Sequence, residues 1–132
     1  MEKRCGFTLL ELLIVVVIVG ILAVTTIPNM KRSVERTRSR SAQYNLLAIY
    51  NAEKRYKLRN NEYYTGASIK SAINSNLSLN IQDSYFTYNI SASGTGEFVA
   101  TATRLDANSI CAGKKMYLSS DDSNITKECT AW

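Results

Sequence analysis

The chain opens with a short polar leader followed by a long apolar run. From Leu12 to Met30 there are 19 consecutive residues without a charged side chain, and one carboxylate, Glu11, stands directly before them. A helix rises about 1.5 Å per residue, so a run of this length roughly spans the hydrocarbon core of a bilayer. We therefore predict a transmembrane helix over residues 7–30, to which the rest of the chain is attached.

After the apolar run the pattern becomes that of an amphipathic helix. Between Ser33 and about Leu58 the chain contains no Pro or Gly. The apolar positions in this stretch that share one helical face are Ala42, Leu46, Ile49, Tyr50 and Tyr56. This spacing predicts that residues 31–59 continue the same helix and pack one face against a sheet.

Alternation of apolar and polar residues predicts two strands joined as a hairpin. Ser84–Ala92 alternates strictly, and Glu97–Thr103 follows after Ser93–Gly96, which has the composition of a turn. The positions predicted to face the core in the first strand are Phe86, Tyr88, Ile90 and Ala92.

A third strand and a short helix complete the predicted head, residues 60–132. Lys114–Ser119 places Met116 and Leu118 on one side, and Ser68–Asn76 has the spacing of a short helix. The remainder, Ser119–Trp132, is predicted to be a loop. Three antiparallel strands laid over the helix make an α+β fold.

The position of Glu11 helps to decide which kind of segment the apolar run is. A secretory signal peptide would have the basic start seen at Lys3 and Arg4, but a carboxylate in the run fits poorly, and Ala23–Pro28 offers no clear small-residue cleavage site. A plain membrane anchor explains the length but leaves Glu11 without a partner, although a charge within a membrane segment costs a few kcal/mol.

A third explanation supplies that partner. The sequence Gly6-Phe7-Thr8-Leu9-Leu10-Glu11 resembles the leader and cleavage site of type IV prepilins and pseudopilins. The resemblance implies cleavage between Gly6 and Phe7 by a prepilin peptidase, which also N-methylates Phe7. The new amine and Glu11 are four residues apart and share a helix face. Glu11 could pair with that amine in its own chain or with a neighbour's, which would set the stagger between subunits.

The resemblance also implies an architecture and partners. The implied fold is type IV pilin-like, a long N-terminal helix packed on a small antiparallel sheet. The implied assembly is a homo-oligomeric helical filament, built by an assembly ATPase and an inner-membrane platform. The subunit would wait in the bacterial inner membrane and then join an extracellular pilus or a periplasmic pseudopilus. Gly20 and Pro28 are expected to bend the helix. The simpler alternative is a kink that has no function.

Charge and composition exclude some functions and leave others open. The net charge is +5, and loss of residues 1–6 leaves fourteen cations and ten carboxylates, a net +4 that does not by itself indicate nucleic acid. The chain has no histidine and no recognisable catalytic motif, so we expect neither an enzyme nor a cofactor. The polar residues 121–124 lack the spacing of a calcium-binding EF-hand, and no metal site is predicted.

Three cysteines are present. Cys5 would leave with the leader, and Cys111 and Cys129 would remain near the C-terminal end of an exported head. They could be free thiols in a reducing compartment, but a membrane segment before the head favours a disulfide, and the resemblance implies the same pairing.

The sequence therefore predicts a pilin, a structural subunit of a type IV pilus-like filament. Two alternatives stay open, a pseudopilin of a type II secretion system and a membrane-anchored binding module that does not polymerise. The absence of large insertions fits a major subunit, but the sequence does not separate motility, adhesion, DNA uptake and secretion.

Overall fold

A computed structural model describes residues 6–94 and 96–132 and, within its first helix, leaves the side chains of residues 25–29 undescribed. The leader residue Cys5 and Thr95 of the predicted turn lie outside these residues. The chain divides into two compact units, one ending at Ser33 and the other spanning Val34–Trp132. The elements are α1 Leu9–Asn60, α2 Lys70–Leu77, β1 Phe86–Ala92, β2 Phe98–Arg104, β3 Lys115–Ser119 and β4 Thr126–Lys127.

The head is built on a four-stranded antiparallel sheet in the order β1-β2-β3-β4. In its register Ile90 lies opposite Ala100, which lies opposite Leu118, and all three side chains are buried. The predicted face of α1 is buried in the same cluster through Ala42, Leu46 and Ile49. The α+β prediction, a long helix packed on a small antiparallel sheet, is confirmed.

Two details of the predicted head are wrong. The segment after β3 was expected to be a loop, but Thr126 and Lys127 form a fourth strand, pairing with Tyr117 and Met116. Both residues are exposed, so this strand has no alternation of buried and exposed positions that could be recognised in the sequence. Ala92 was expected in the core but is exposed at the end of β1, although it still pairs with Phe98 of β2.

A disulfide closes the end of the head. Cys111 and Cys129 are bonded, with their Cα atoms 5.7 Å apart and their positions 18 residues apart in sequence. In the chain-entropy model a loop of this size stabilises the fold by about 3 kcal/mol. The predicted pairing is confirmed.

One buried ion pair joins the helix to the sheet. Arg104, at the end of β2, is 1% exposed, and Glu35, on α1, is 4% exposed. Nε and Nη2 of Arg104 donate to the two carboxylate oxygens of Glu35 at 3.1 and 2.8 Å. Burial raises the pKa of Glu35, but hydrogen bonds from Arg104 and Ser109 and the charges of Arg104 and Arg38 together outweigh it, so the pKa of the carboxyl is lowered. The pair is therefore charged and bidentate.

A second buried carboxylate holds the loop that follows α1. Glu53 is fully buried, and its Oε2 accepts the backbone N–H of Tyr64 at 2.9 Å, while its Oε1 has no hydrogen-bond partner among the described groups. Burial raises the pKa of Glu53 to about 7, with the Tyr64 N–H opposing the rise. The side chain of the adjacent Lys54 donates instead to the carbonyl oxygen of Ser120.

Replacement of Arg104 should be strongly destabilising. Arg104→Leu leaves the Glu35 carboxylate buried without its cation, and we expect the free energy of unfolding to fall by about 3–5 kcal/mol. Urea denaturation of the full chain in detergent micelles, followed by the fluorescence of its single tryptophan, measures this. The control adds Glu35→Leu, which removes the stranded charge and should recover most of the loss. A loss below about 1 kcal/mol for the single variant would contradict the role of the pair.

The stability of the head should fall as the pH rises towards neutrality. Glu53 has a folded-state pKa of about 7 against an ordinary value of 4.5, so the folded chain binds its proton more tightly than the unfolded chain does. The contribution of Glu53 is therefore greatest below pH 4.5 and is lost as the pH rises through 7, a change of up to about 3 kcal/mol.

Urea denaturation at pH 5 and pH 8 of the chain and of Glu53→Gln tests this. Gln keeps an acceptor for the Tyr64 N–H but cannot ionise, so the pH dependence over this interval should flatten. The matched control is Glu62→Gln, which changes an exposed carboxylate and should keep the slope. An unchanged slope in Glu53→Gln would refute the assignment to this residue.

Candidate functional site

The first candidate site is the start of α1. The N–H of Glu11 donates to the side-chain hydroxyl of Thr8 at 3.3 Å, one half of a capping box in which Thr8 is the N-cap and Glu11 the third helical residue. A carboxylate here also interacts favourably with the positive end of the helix dipole. Glu11 thus has a local role that our sequence reasoning missed, although the Thr-x-x-Glu signal was present. The local role does not exclude a second one in assembly.

The predicted processing site lies just outside this helix. Gly6 and Phe7 precede the first helical residue, and Phe7 is 76% exposed. An exposed, non-helical peptide bond is the form that a peptidase can bind. Until cleavage the Phe7 nitrogen belongs to a peptide bond, so the predicted amine pairing with Glu11 would arise only afterwards. Cleavage, methylation and pairing stay predictions.

The helix that follows is apolar on every side. The large apolar side chains from Leu9 to Val24 are all exposed in the isolated chain. A helix that is hydrophobic all round is normally covered by protein or lipid. Within the residues that the structure describes, no helix combines the length and hydropathy needed to cross a membrane. Gly20 and Pro28 both lie within α1. The structure does not describe the side chain of Pro28, and the bend expected at these two residues stays a prediction.

The second candidate site is a group of cations at the other end of α1, which we call the terminal basic surface: Lys54, Arg55, Lys57 and Arg59. Two cavities adjoin it, of about 440 and 380 Å³, and both are lined by Leu58, which is 88% exposed. Lys57 and Arg59 lie in the last turn, where cations interact favourably with the helix dipole, and this is a structural role that needs no ligand.

Tyrosine rings hold the lysines of this surface in place. The Nζ of Lys57 lies 4.3 Å from the centroid of the Tyr63 ring, and that of Lys54 lies 4.9 Å from the centroid of Tyr50. Such contacts restrain an ammonium without neutralising its charge. The sequence analysis missed this arrangement, because Tyr63 reaches Lys57 only through the turn after α1.

The polar loop at residues 121–124 is internally bonded. Asp121 accepts a hydrogen bond from the hydroxyl of Ser119, and Asp122 Oδ1 accepts the N–H of Asn124 at 2.9 Å. Among the described residues, no three His, Cys, Asp or Glu side chains are grouped as metal ligands would be.

Two family models match consecutive parts of the chain. Residues 1–27 match the prokaryotic N-terminal methylation motif. Residues 28–114, well over half of the chain, match the family described as type IV minor pilin ComP, DNA uptake sequence receptor.

Curated relatives include both secretion and pilus proteins. The type II secretion system core protein G of Aeromonas hydrophila is 45% identical over 67 residues, 49% of this chain and 47% of that protein. The same protein of Escherichia coli K12 is 41% identical over 64 residues, 48% of this chain and 44% of the relative. The type IV major pilin protein PilA of Myxococcus xanthus is 45% identical over 61 residues, which are 46% of this chain and 28% of that protein. The chain thus spans less than half the length of these relatives.

The methylation motif, the helix-on-sheet head and the family match over residues 28–114 agree with one another. The chain belongs to the type IV pilins and, within them, to the family of the minor pilin ComP, DNA uptake sequence receptor.

Proposed function

We propose that this chain is a minor pilin whose head binds DNA on the outside of a type IV pilus. The observation that carries the proposal is the family match over residues 28–114, whose description names a DNA uptake receptor. Our sequence analysis treated nucleic acid as possible but not indicated, and its preference for a major subunit is replaced here by a minor one.

The terminal basic surface is the part of the described head that we assign to the DNA. Arg55 and Arg59 are exposed, lie four residues apart on one face of α1 and line the same cavity, so both can contact one DNA backbone. Lys57 is also exposed and lines the adjoining cavity. Guanidinium groups bind phosphate oxygens bidentately, and such contacts dominate affinity without reading sequence. The Tyr63 ring restrains the direction of the Lys57 ammonium.

Assembly would follow the route of the family. We propose that cleavage after Gly6 and methylation of Phe7 precede polymerisation, and that the apolar helix lies in the inner membrane as a single pass until an assembly ATPase and a platform protein move it into the filament. The support is the match of residues 1–27 to the methylation motif and the all-round apolar surface of the helix.

A type II secretion pseudopilin is the second candidate. It is favoured by the identity of 45% to the core protein G of Aeromonas hydrophila. DNA binding by the terminal basic surface would argue against it.

Neutralising the terminal basic surface should weaken DNA binding and its salt dependence. The test uses the full mature chain in detergent micelles and labelled double-stranded DNA, with fluorescence anisotropy over a series of salt concentrations. For Arg55→Gln with Arg59→Gln we expect affinity to fall about tenfold or more. The slope of log affinity against log salt should decrease by about 0.9 for each phosphate that the variant no longer neutralises.

The control has the same change of charge elsewhere on the head. Lys114→Gln with Lys115→Gln removes two exposed cations beside β3 and should keep the slope of the unsubstituted chain. Equal losses in the two double variants would show an attraction to net charge and argue against this surface. No binding by the unsubstituted chain would refute the DNA proposal.

Removing the charge of Glu11 should keep the chain out of filaments. Glu11→Ala loses both the predicted pairing with Phe7 of a neighbour and the capping box, whereas Glu11→Gln keeps a residue suited to the cap and loses only the charge. Because a minor pilin is one subunit type among others in a pilus, the measurement is immunodetection of this chain in filaments sheared from cells that also make a major pilin. We expect neither variant in the sheared fraction, while intact-mass analysis of the membrane fraction should still find chains that begin at N-methyl-Phe7.

Glu62→Ala is the control, because it removes an exposed carboxylate of the head, and this variant should stay in the sheared filaments. Glu11→Gln present in sheared filaments at the level of the unsubstituted chain would contradict the charge pairing. Absence of the unsubstituted, processed chain from sheared filaments would favour the non-polymerising anchored module.

A further inference from the structure

A polar pocket of about 370 Å³ lies between α1 and the C-terminal segment of the head. Its lining is Arg36, Ser39, Arg40, Gln43, Lys127 and Trp132. The four residues from α1 recur at intervals of three and four and therefore share one helix face. Lys127 of β4 faces them across the pocket, so the site exists only because the fourth strand forms.

Three cations line this pocket, and no carboxylate does. The acidic residues next to them in sequence are engaged elsewhere. Glu35, beside Arg36, is bonded to Arg104. Glu128, beside Lys127, accepts the Tyr117 hydroxyl at 2.6 Å and the N–H of Lys115 at 2.9 Å. The fold thus directs both neighbouring carboxylates away from the pocket.

The three cations and the indole of the pocket are unpaired within the described chain, whereas the Ser39 hydroxyl donates to the carbonyl oxygen of Arg36 at 2.9 Å. Arg36, Arg40 and Lys127 form no ion pair with the residues that the structure describes, and all three are exposed. The indole N–H of Trp132 is buried without an acceptor among the described residues. Since buried polar groups are usually hydrogen-bonded, a bound oxygen would satisfy a donor that the chain leaves unpaired.

We propose that this pocket binds a phosphate group. Two guanidinium groups spaced by one helical turn and an ammonium opposite them match an anion with several oxygens better than they match a single carboxylate. A volume of about 370 Å³ also leaves room beside the phosphate for an attached group. The source is either free phosphate or the backbone of DNA, and the second rests on the proposed function.

The single tryptophan of the chain lines the pocket and can report its occupancy. The full mature chain in detergent micelles is titrated with inorganic phosphate, with chloride at equal ionic strength as the control, and then with unlabelled double-stranded DNA. Excitation at wavelengths that spare tyrosine follows Trp132, and anisotropy of labelled DNA follows total DNA binding in parallel.

The test variant is Arg36→Gln with Arg40→Gln. The matched control is Lys114→Gln with Lys115→Gln, which removes the same charge from two exposed residues outside the pocket and outside the terminal basic surface. We expect phosphate to change the fluorescence, chloride to have no effect, and the apparent phosphate affinity to fall about tenfold or more only in the first pair, since charge-assisted hydrogen bonds are the strong class. Unchanged thermal melting of both pairs verifies the fold.

The outcomes of this experiment distinguish free phosphate from DNA as the ligand, and they test the pocket separately from the proposed function. A fluorescence response to DNA that disappears in Arg36→Gln with Arg40→Gln supports the pocket and identifies the backbone as its source. A response to phosphate without DNA binding supports the pocket for free phosphate and refutes the proposed function. No response to phosphate, or equal loss in both variant pairs, overturns the pocket, while DNA binding by anisotropy would leave the proposed function standing.

Discussion

The head depends on the buried pair between Arg104 and Glu35. The hydrophobic effect that packs α1 on the sheet is non-directional, so it favours burial without by itself specifying one pairing of polar groups. A bidentate contact at 2.8 and 3.1 Å does not permit sliding, and Arg104 also donates to the carbonyl of Tyr85 at 3.0 Å. Because β2 lies between β1 and β3, fixing its end on the helix positions the whole sheet.

Elements with a periodic pattern could be predicted, and those without one could not. The helix face at Leu46 and Ile49 and the alternation around Tyr88 are local signals, and the structure buries these residues as expected. The strand at Thr126 and Lys127 forms only because β3 offers it an edge, so its cause is tertiary. The disulfide from Cys111 to Cys129 was predictable because only two cysteines follow the leader.

The roles of the charged residues were the part that sequence reasoning could not assign. Glu35 and Glu53 lie on one helix, and the sequence around them does not distinguish them from exposed carboxylates. In the structure Glu35 is paired with Arg104, and Glu53 has a pKa of about 7. Their difference comes from which strand or loop packs over them. The basic residues divide in the same way, since Arg36 lines a pocket with Lys127 of β4, whereas Arg55 and Arg59 line a cavity with Leu77 of α2.

This division separates the two parts of the chain chemically. The helix from Leu9 to Val24 exposes aliphatic side chains and one carboxylate, so it has no set of polar groups that could distinguish one ligand from another. Ligand choice would then come from the head, where cations lie on a sheet-backed helix whose carboxylates have partners elsewhere. The buried pair that fixes the sheet also binds the carboxylate beside Arg36 in sequence, so the stability of the head and the anion binding that we propose would share one physical origin.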